Sequence, residues 1–261
     1  MTDVNTQKIK MINNNKFDYF SVLVIGEDPE AQISKFDEMI DVEPYVLYQY
    51  KDRSKIRKLQ IEIYKNYLKT VKKLQERNLV IDKINELKKL SDEQYFLSLS
   101  ELHQLDKNKN IITSDNPDGK WLTCEVGGRF YSEFLKDFNG TPITSGKRSE
   151  INWPKIHLNK DDINKYQRTW ELCVEGVKTE TPTDFLIVNN MRHLTDYFKN
   201  FKNKEEYIKY NSSFFTNAVV LDGKWYDMED NDYSNWIINY FEQFILNPHG
   251  DELITIFECT K

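Results

Sequence analysis

Hydrophobic and polar positions change period several times along this chain. Residues 17–26, FDYFSVLVIG, form a β-rich run of the length of a buried strand, and Gly26 ends it. EDPEAQISKFDEMI follows and predicts a helix. Asp28 stands at a capping position, and Pro29 at the first helical position, where its missing N–H costs nothing. Ile33, Phe36 and Ile40 then share one apolar face. Residues 42–50, VEPYVLYQY, read as extended, so the opening is β-α-β.

From residue 51 to about residue 90 the period becomes helical. Ile56, Leu59, Ile63, Tyr67, Val71 and Leu74 step by three or four, with Lys and Arg between them. RNLV at 77–80 is the expected break, after which Ile81, Ile84 and Leu87 resume the pattern. Ser91-Asp92 looks like the cap of a further short helix within 91–105. Residues 51–105 are therefore expected to be a basic helical insertion within a single α+β domain spanning residues 1–261.

Asn116-Pro117-Asp118-Gly119 is a turn signal. Residues 121–134 then predict a bent strand or hairpin. A helix is expected to start near Asn159–Asp162, a short strand at 182–190 (PTDFLIVNN) and a helix over 191–210. Residues 214–228 form two β-rich runs around Asp222-Gly223, a hairpin signal. An amphipathic helix over 233–245 carries Trp236, Tyr240 and Phe244 at spacing four, and ELITIFECT closes the chain as a strand. Together these elements predict an α+β fold with a mixed or antiparallel sheet. The strand-helix-strand opening and helix-strand close point to a ferredoxin-like arrangement.

Charge adds a second pattern. The net charge of −6 argues against a dedicated DNA binder. It is unevenly spread: residues 51–90 hold 13 Lys or Arg against 5 Asp or Glu, while residues 222–252 hold 8 acids against one Lys. No apolar run approaches the ~20 residues that span a bilayer. Residues 1–17 lack a signal-peptide core and read as a polar lead-in. Three cysteines, Cys124, Cys173 and Cys259, are odd in number and far apart, which predicts reduced thiols and a cytoplasmic location.

Candidate chemistry is mostly excluded. No GxxxxGK[ST], HExxH, CxxC or GxSxG motif occurs. His103, His157, His193 and His249 lie in separate segments without metal-ligand spacing. Neither a metal nor a cofactor is expected. The carboxylates Glu125, Asp227, Glu229, Asp230 and Asp232 suit Mg²⁺ or Ca²⁺ by type, but read as a strand residue and a solvated acidic loop. Tyr64 and Tyr67 interleave with the basic helix as stacking residues would on nucleic acid; a solvated helix with inward tyrosines is the simpler reading.

The unusual stretch is KWLTCEVGGRFYSEF. Strand alternation places Trp121, Thr123 and Glu125 on one face and Leu122, Cys124 and Val126 on the other. Gly127-Gly128 then permits positive φ or a bulge, which re-aims Arg129. Arg129 is expected to turn inward and to pair with a carboxylate such as Glu125 or with backbone carbonyls, because a buried guanidinium requires a partner.

NPDGKW followed by VGGRF resembles the NPxxKWDWYxxGGRW signature of a family of uncharacterised proteins found mainly in tailed phages. FSVLVIGEDPEAQISKFDEMIDVEPYV is similar to that family's opening, FFTNAVVLDGKWYDM to its hairpin, and WIINYFEQFI with ELITIFECT to its closing helix and strand. The chain departs at Trp121-Leu122-Thr123-Cys124, where the family has WDWY, and at Phe130, where it has Trp. It departs again at Glu258-Cys259-Thr260, where the family has Asp-Cys-His. The resemblance implies a phage origin more firmly than an activity. The expected function is a non-catalytic, cytosolic binding protein that modulates or inhibits a host component, in anti-defence or host takeover. Its partner would be a host protein, and Trp121, Glu125, Gly127, Gly128, Arg129 and Trp225 are the candidate ligand or partner residues. The alternative is a pocket around Trp121, Glu125 and Arg129 that binds a nucleotide or phosphate ligand, as an enzyme or binding protein, with the guanidinium gripping phosphate and the indole stacking on a base. A weaker alternative is nucleic-acid binding through the block bounded by Lys51 and Lys89.

Overall fold

A computed structural model describes residues 19–101, 103–130, 134–192, 194, 196–228, 233–246 and 250–261. The polar lead-in, His193, His249, Glu229, Asp230 and Asp232 lie outside the described residues. The chain forms two compact units rather than one domain: Met1–Asp37 with Lys120–Lys261, and Glu38–Gly119 between them. The fold is α+β in both.

The chain runs through β1 (Tyr19–Ile25) and α1 (Pro29–Ser34) before entering the second unit. There follow β2 (Tyr45–Tyr48), α2 (Arg53–Thr70), α3 (Leu74–Lys89), α4 (Asp92–Leu99), β3 (Gln104–Leu105) and β4 (Ile111–Thr113). Back in the first unit come β5 (Thr123–Val126), β6 (Leu135–Lys136), β7 (Pro142–Ile143) and β8 (Ser145–Lys147). Four helices follow: α5 (Trp153–Ile156), α6 (Lys160–Cys173), α7 (Pro182–Met191) and α8 (Lys204–Ser212). The chain closes with β9 (Ala218–Leu221), β10 (Lys224–Asp227), α9 (Tyr233–Tyr240) and β11 (Leu253–Thr260).

The first unit is a sheet of order β10-β9-β1-β11-β5, with β8 also on β11. β1 is parallel to β9 and antiparallel to β11. It is flanked on both sides, which explains its apolar run. Leu23 and Ile25 face one core with Trp236, Ile237, Tyr240 and Phe244 beneath the closing helix. Val22 and Val24 face another, with Ile33, Phe36 and Trp121. The order is not ferredoxin-like. In that topology the second strand of the central hairpin lies beside the first strand, whereas here the hairpin's first strand, β9, takes that place and β10 forms the edge. The extended segment expected after α1 supplies β2, which pairs with β4 in the second unit instead.

Local signals explain most elements. Asp28 caps α1 through the Ala31 N–H, with Pro29 at its first turn, but the helix stops at Ser34 and leaves Ile40 exposed. Asp222 and Gly223 both have positive φ (52° and 67°), the backbone of a two-residue hairpin turn. Residues 182–190 are helix, not strand. Thr181 and Asp184 form a capping box around Pro182, and Arg168 holds the buried Asp184 with two hydrogen bonds of 3.0 and 2.7 Å. The helix expected over 191–210 is divided: α7 ends at Met191, a short turn spans Tyr197–Asn200, and α8 begins at Lys204.

The second unit holds α2, which lies against both α3 and α4, and the small sheet β2-β4-β3; Val80, Ile84, Leu87, Phe96 and Ile111 are among its buried apolar residues. The helix break falls at Val71, not at 77–80. Arg77 looked like a breaker but donates to the carbonyls of Leu68 and Val71, so it closes the end of α2 from within α3. Ser91 caps α4 as expected, and its cap is completed as a capping box by Gln94; the helix ends at Leu99. The helices expected at 51–105 thus belong to a unit that begins at Glu38, ends at Gly119 and has its own sheet. No helix among the described residues is long and apolar enough to cross a membrane.

Candidate functional site

Cys259 on β11 stands opposite Cys124 on β5, with Cα atoms 4.1 Å apart, and the two are joined as a disulfide. The expectation of three reduced thiols is corrected here. Separations of 135 residues hide such pairs, because only the strand register brings them together. Cys173 is free and half-buried, and burial pushes its thiol upward.

One residue before Cys259, Glu258 is the one charged side chain of the buried strand β11. It lies opposite Glu125 in the register, an arrangement of like charges that needs a cation nearby. Gly127 and Gly128 supply the turn that brings one. Both have positive φ (73° and 49°), and the Gly127 N–H donates to the Ile256 carbonyl at 2.8 Å. Gly128 passes so close to Glu258 that a Cβ there would lie 2.2 Å from its Oε2. The short helical turn Gly128–Phe130 then aims Arg129 at Glu258: its backbone N–H donates to Oε2, and its Nε donates to Oε1 at 2.7 Å. The guanidinium also lies 3.4 Å above the Tyr19 ring.

Burial is divided differently from the expectation. Glu258 is the buried partner at 6% exposure, while the Arg129 side chain is 54% exposed. The partner is Glu258, not Glu125, which is exposed. Each carboxylate oxygen of Glu258 has a donor, so the cost of burying it is offset.

The sheet separates the other candidates. Strict alternation does not reach Trp121, which precedes β5. Its indole is buried in the core with Cys124 and Cys259 and donates to the Ile33 carbonyl at 3.2 Å. Trp225 packs on Phe20 and Phe36 beside the same core, and its indole donates to Asp227 at 2.9 Å. Glu258 and Arg129 belong to the opposite face. A single pocket around Trp121, Glu125 and Arg129 is therefore not formed.

A different cavity is. Phe130, the last residue of the Arg129 turn, lines a cleft of about 490 Å³, together with Phe134, Phe214, Phe215, Lys136 and Lys155. Its polar side includes Ser21, the register neighbour of Glu258 on β1. Ser21 donates to Asn217 Oδ1 from both its backbone N–H (2.8 Å) and its hydroxyl (2.9 Å). Asp162, also in the lining, accepts from Asn159. Glu258 carried a legible signal, as a lone carboxylate in a mostly apolar strand. Lys136 and Lys155 carried none, since isolated lysines in a Lys-rich chain look alike.

In the second unit, α3 buries Val80, Ile84 and Leu87, half-buries Glu76 and Arg77, and exposes the other side chains. Leu74, Asn78, Ile81, Asn85 and Lys88 form a solvent-facing stripe at spacings of four and three. Leu74 and Leu79 are 73% and 70% exposed. Tyr64 and Tyr67 are half-buried, and the Tyr67 hydroxyl is tied to Glu76, so neither ring stands fully open to solvent. Among the described residues no group of three His, Cys, Asp or Glu side chains is placed to hold a metal ion. Compared with protein-family models, curated proteins and solved structures, the chain matches none.

Proposed function

We propose that this chain is a non-catalytic binding protein that acts in a phage-infected cell by engaging an acidic surface of a host protein through its second unit. The observation that carries the reading is the exposed face of α3. Two leucines about 70% open to water, on adjoining sides of the helix, stand among exposed Lys72, Lys73, Lys83, Lys88 and Lys89, which outnumber the exposed Asp82 and Glu86 even though Glu86 pairs with Lys83. Apolar anchors within a basic surround suit a protein surface of opposite charge, which gains both apolar burial and electrostatic steering. Nucleic acid is the weaker fit, because the tyrosines that would stack on bases are half-buried and Tyr67 is hydrogen-bonded. The phage-type motifs support placing the partner in the host.

The test is quantitative capture from host lysate with the protein and with a Leu74→Asp/Leu79→Asp double variant. The expected result is one stoichiometric acidic host protein retained by the parent and lost by the variant at unchanged helicity. Equal retention by both, or tight binding of a 30-nucleotide single strand at physiological salt, overturns the reading.

A further inference from the structure

The cleft in the first unit is independent of the surface just described, and its chemistry is specific. Lys136, half-buried, and Lys155, exposed, both line it. Among the described residues neither ammonium has an ion-pair partner, whereas Lys120 and Lys209 each have one and Lys204 has two. Two ammonium groups without carboxylate partners leave this end of the cleft positively charged and able to take an anion. Asn217 adds a donor. Its oxygen is committed to Ser21, which fixes the amide's orientation, and its Nδ2 makes no hydrogen bond among the described residues. The remaining wall is aromatic: Phe130, Phe134 and Phe214 form an edge-to-face series with centroids 5.2 and 6.1 Å apart, and Phe215 and Tyr233 extend it. The Asp162 carboxylate already accepts from Asn159, and the two lysines outnumber it.

We propose that this cleft binds a nucleoside monophosphate, with the planar base against the phenylalanine wall and the phosphate between Lys136 and Lys155. A volume of about 490 Å³ is within the range of small-ligand sites. Aromatic walls accept any base face, while two ammonium groups and one amide donor select the phosphate. The role of the Gly127-Gly128-Arg129 turn is then indirect: by anchoring to Glu258 it delivers Phe130 to the cleft.

The experiment is calorimetric titration of the full chain with the four ribonucleoside 5′-monophosphates, with adenosine, and with inorganic phosphate. Lys136→Gln, Lys155→Gln and a remote surface variant, Lys224→Gln, are titrated in parallel, and each variant's melting curve is recorded. At least one nucleotide is expected to bind with a dissociation constant below about 1 mM. Each cleft variant should weaken it about tenfold, and Lys224→Gln should leave it unchanged. Lys136→Gln should also reduce the preference for nucleotide over adenosine. No heat from any nucleotide at about 5 mM would falsify the assignment. So would equal binding by parent and cleft variants, equal weakening by Lys224→Gln, or inorganic phosphate binding as tightly as the nucleotides.

Discussion

Gly128 shows how a single missing side chain can decide a local structure. Its φ of 49° is open to glycine at little cost, and Glu258 fills the space where a Cβ would be. Gly128→Ala should therefore combine backbone strain with overpacking and cost roughly 2–4 kcal/mol. Gly140 provides the comparison: it also has positive φ, at 81°, but nothing within 4 Å of its missing Cβ, so Gly140→Ala should cost only about 1 kcal/mol. Urea denaturation of both variants checks the difference. Arg129→Lys keeps the charge and loses the Nε donor used by Glu258. With the arginine half-exposed, the expected loss is about 1 kcal/mol, seen as a lower melting temperature.

His157 makes stability depend on pH. Its ring stacks on Phe241 with centroids 3.7 Å apart, and its Nδ1 accepts the Phe214 N–H, which requires the neutral imidazole. Burial, first, and the nearby Lys209 lower its pKa to about 4, against a smaller opposing pull from Glu242. The unfolded chain takes up the proton near pH ~6.5, so it binds more protons than the fold between that pH and about 4. Stability from this residue is complete above pH ~6.5 and declines as the pH falls, by at most about 1.4 kcal/mol per pH unit. Urea midpoints at pH 7 and pH 5 should drop further for the parent than for His157→Gln. Equal drops would assign the effect to other groups.

At the scale of elements, turns and caps decide more than propensity does. The β9–β10 hairpin rests on consecutive positive φ angles at Asp222 and Gly223. Gly223→Val should cost about 1 kcal/mol or more, and an unchanged thermal midpoint would count against the turn's importance. The Thr181-Pro182-Thr183-Asp184 run is a helix start in full, with a cap, a first-turn proline and a reciprocal acid. The apolar run FLIV by itself suits a strand, but Thr181, Asp184 and Arg168 fix the first helical turn, and the helix leaves Phe185 and Leu186 exposed. The β5–β11 pair carries its own check. Thiol titration of the denatured, unreduced chain should count Cys173 alone, and reduction should add Cys124 and Cys259.

At the scale of the molecule, the first unit closes on itself where the second enters. Asp37 bridges to Trp121, and the Lys120 N–H donates to the Phe36 carbonyl at 2.7 Å. Replacing residues 38–119 with a short Gly-Ser linker should therefore leave a cooperatively folding unit with intact near-ultraviolet circular dichroism. Removing only residues 51–105 should fail, because it takes away α2, α3, α4 and the strand β3 that pairs with β4 at Ile111, leaving that buried residue without most of its unit. If both deletions fold equally well, the unit boundary is misplaced.

Much of this was written along the chain. The central strand, the Asp28 cap, the Ser91 cap, the Asp222-Gly223 hairpin and the closing helix and strand all rest on contacts within a few residues. A local pattern therefore suffices to place them. The bend at Gly127-Gly128 was equally legible, since only glycine takes those angles cheaply. Its partner was not, because Glu258 is 129 residues from Arg129 and only the β5–β11 register brings the two together. The same holds for the Cys124–Cys259 pair, for Trp121 and Arg129 falling on opposite faces, and for the cleft that gathers Ser21, Phe130, Lys136, Lys155 and Asn217. Periodicity records which way a side chain faces within its own element; which distant side chain it meets is settled only when strands pair and cores close.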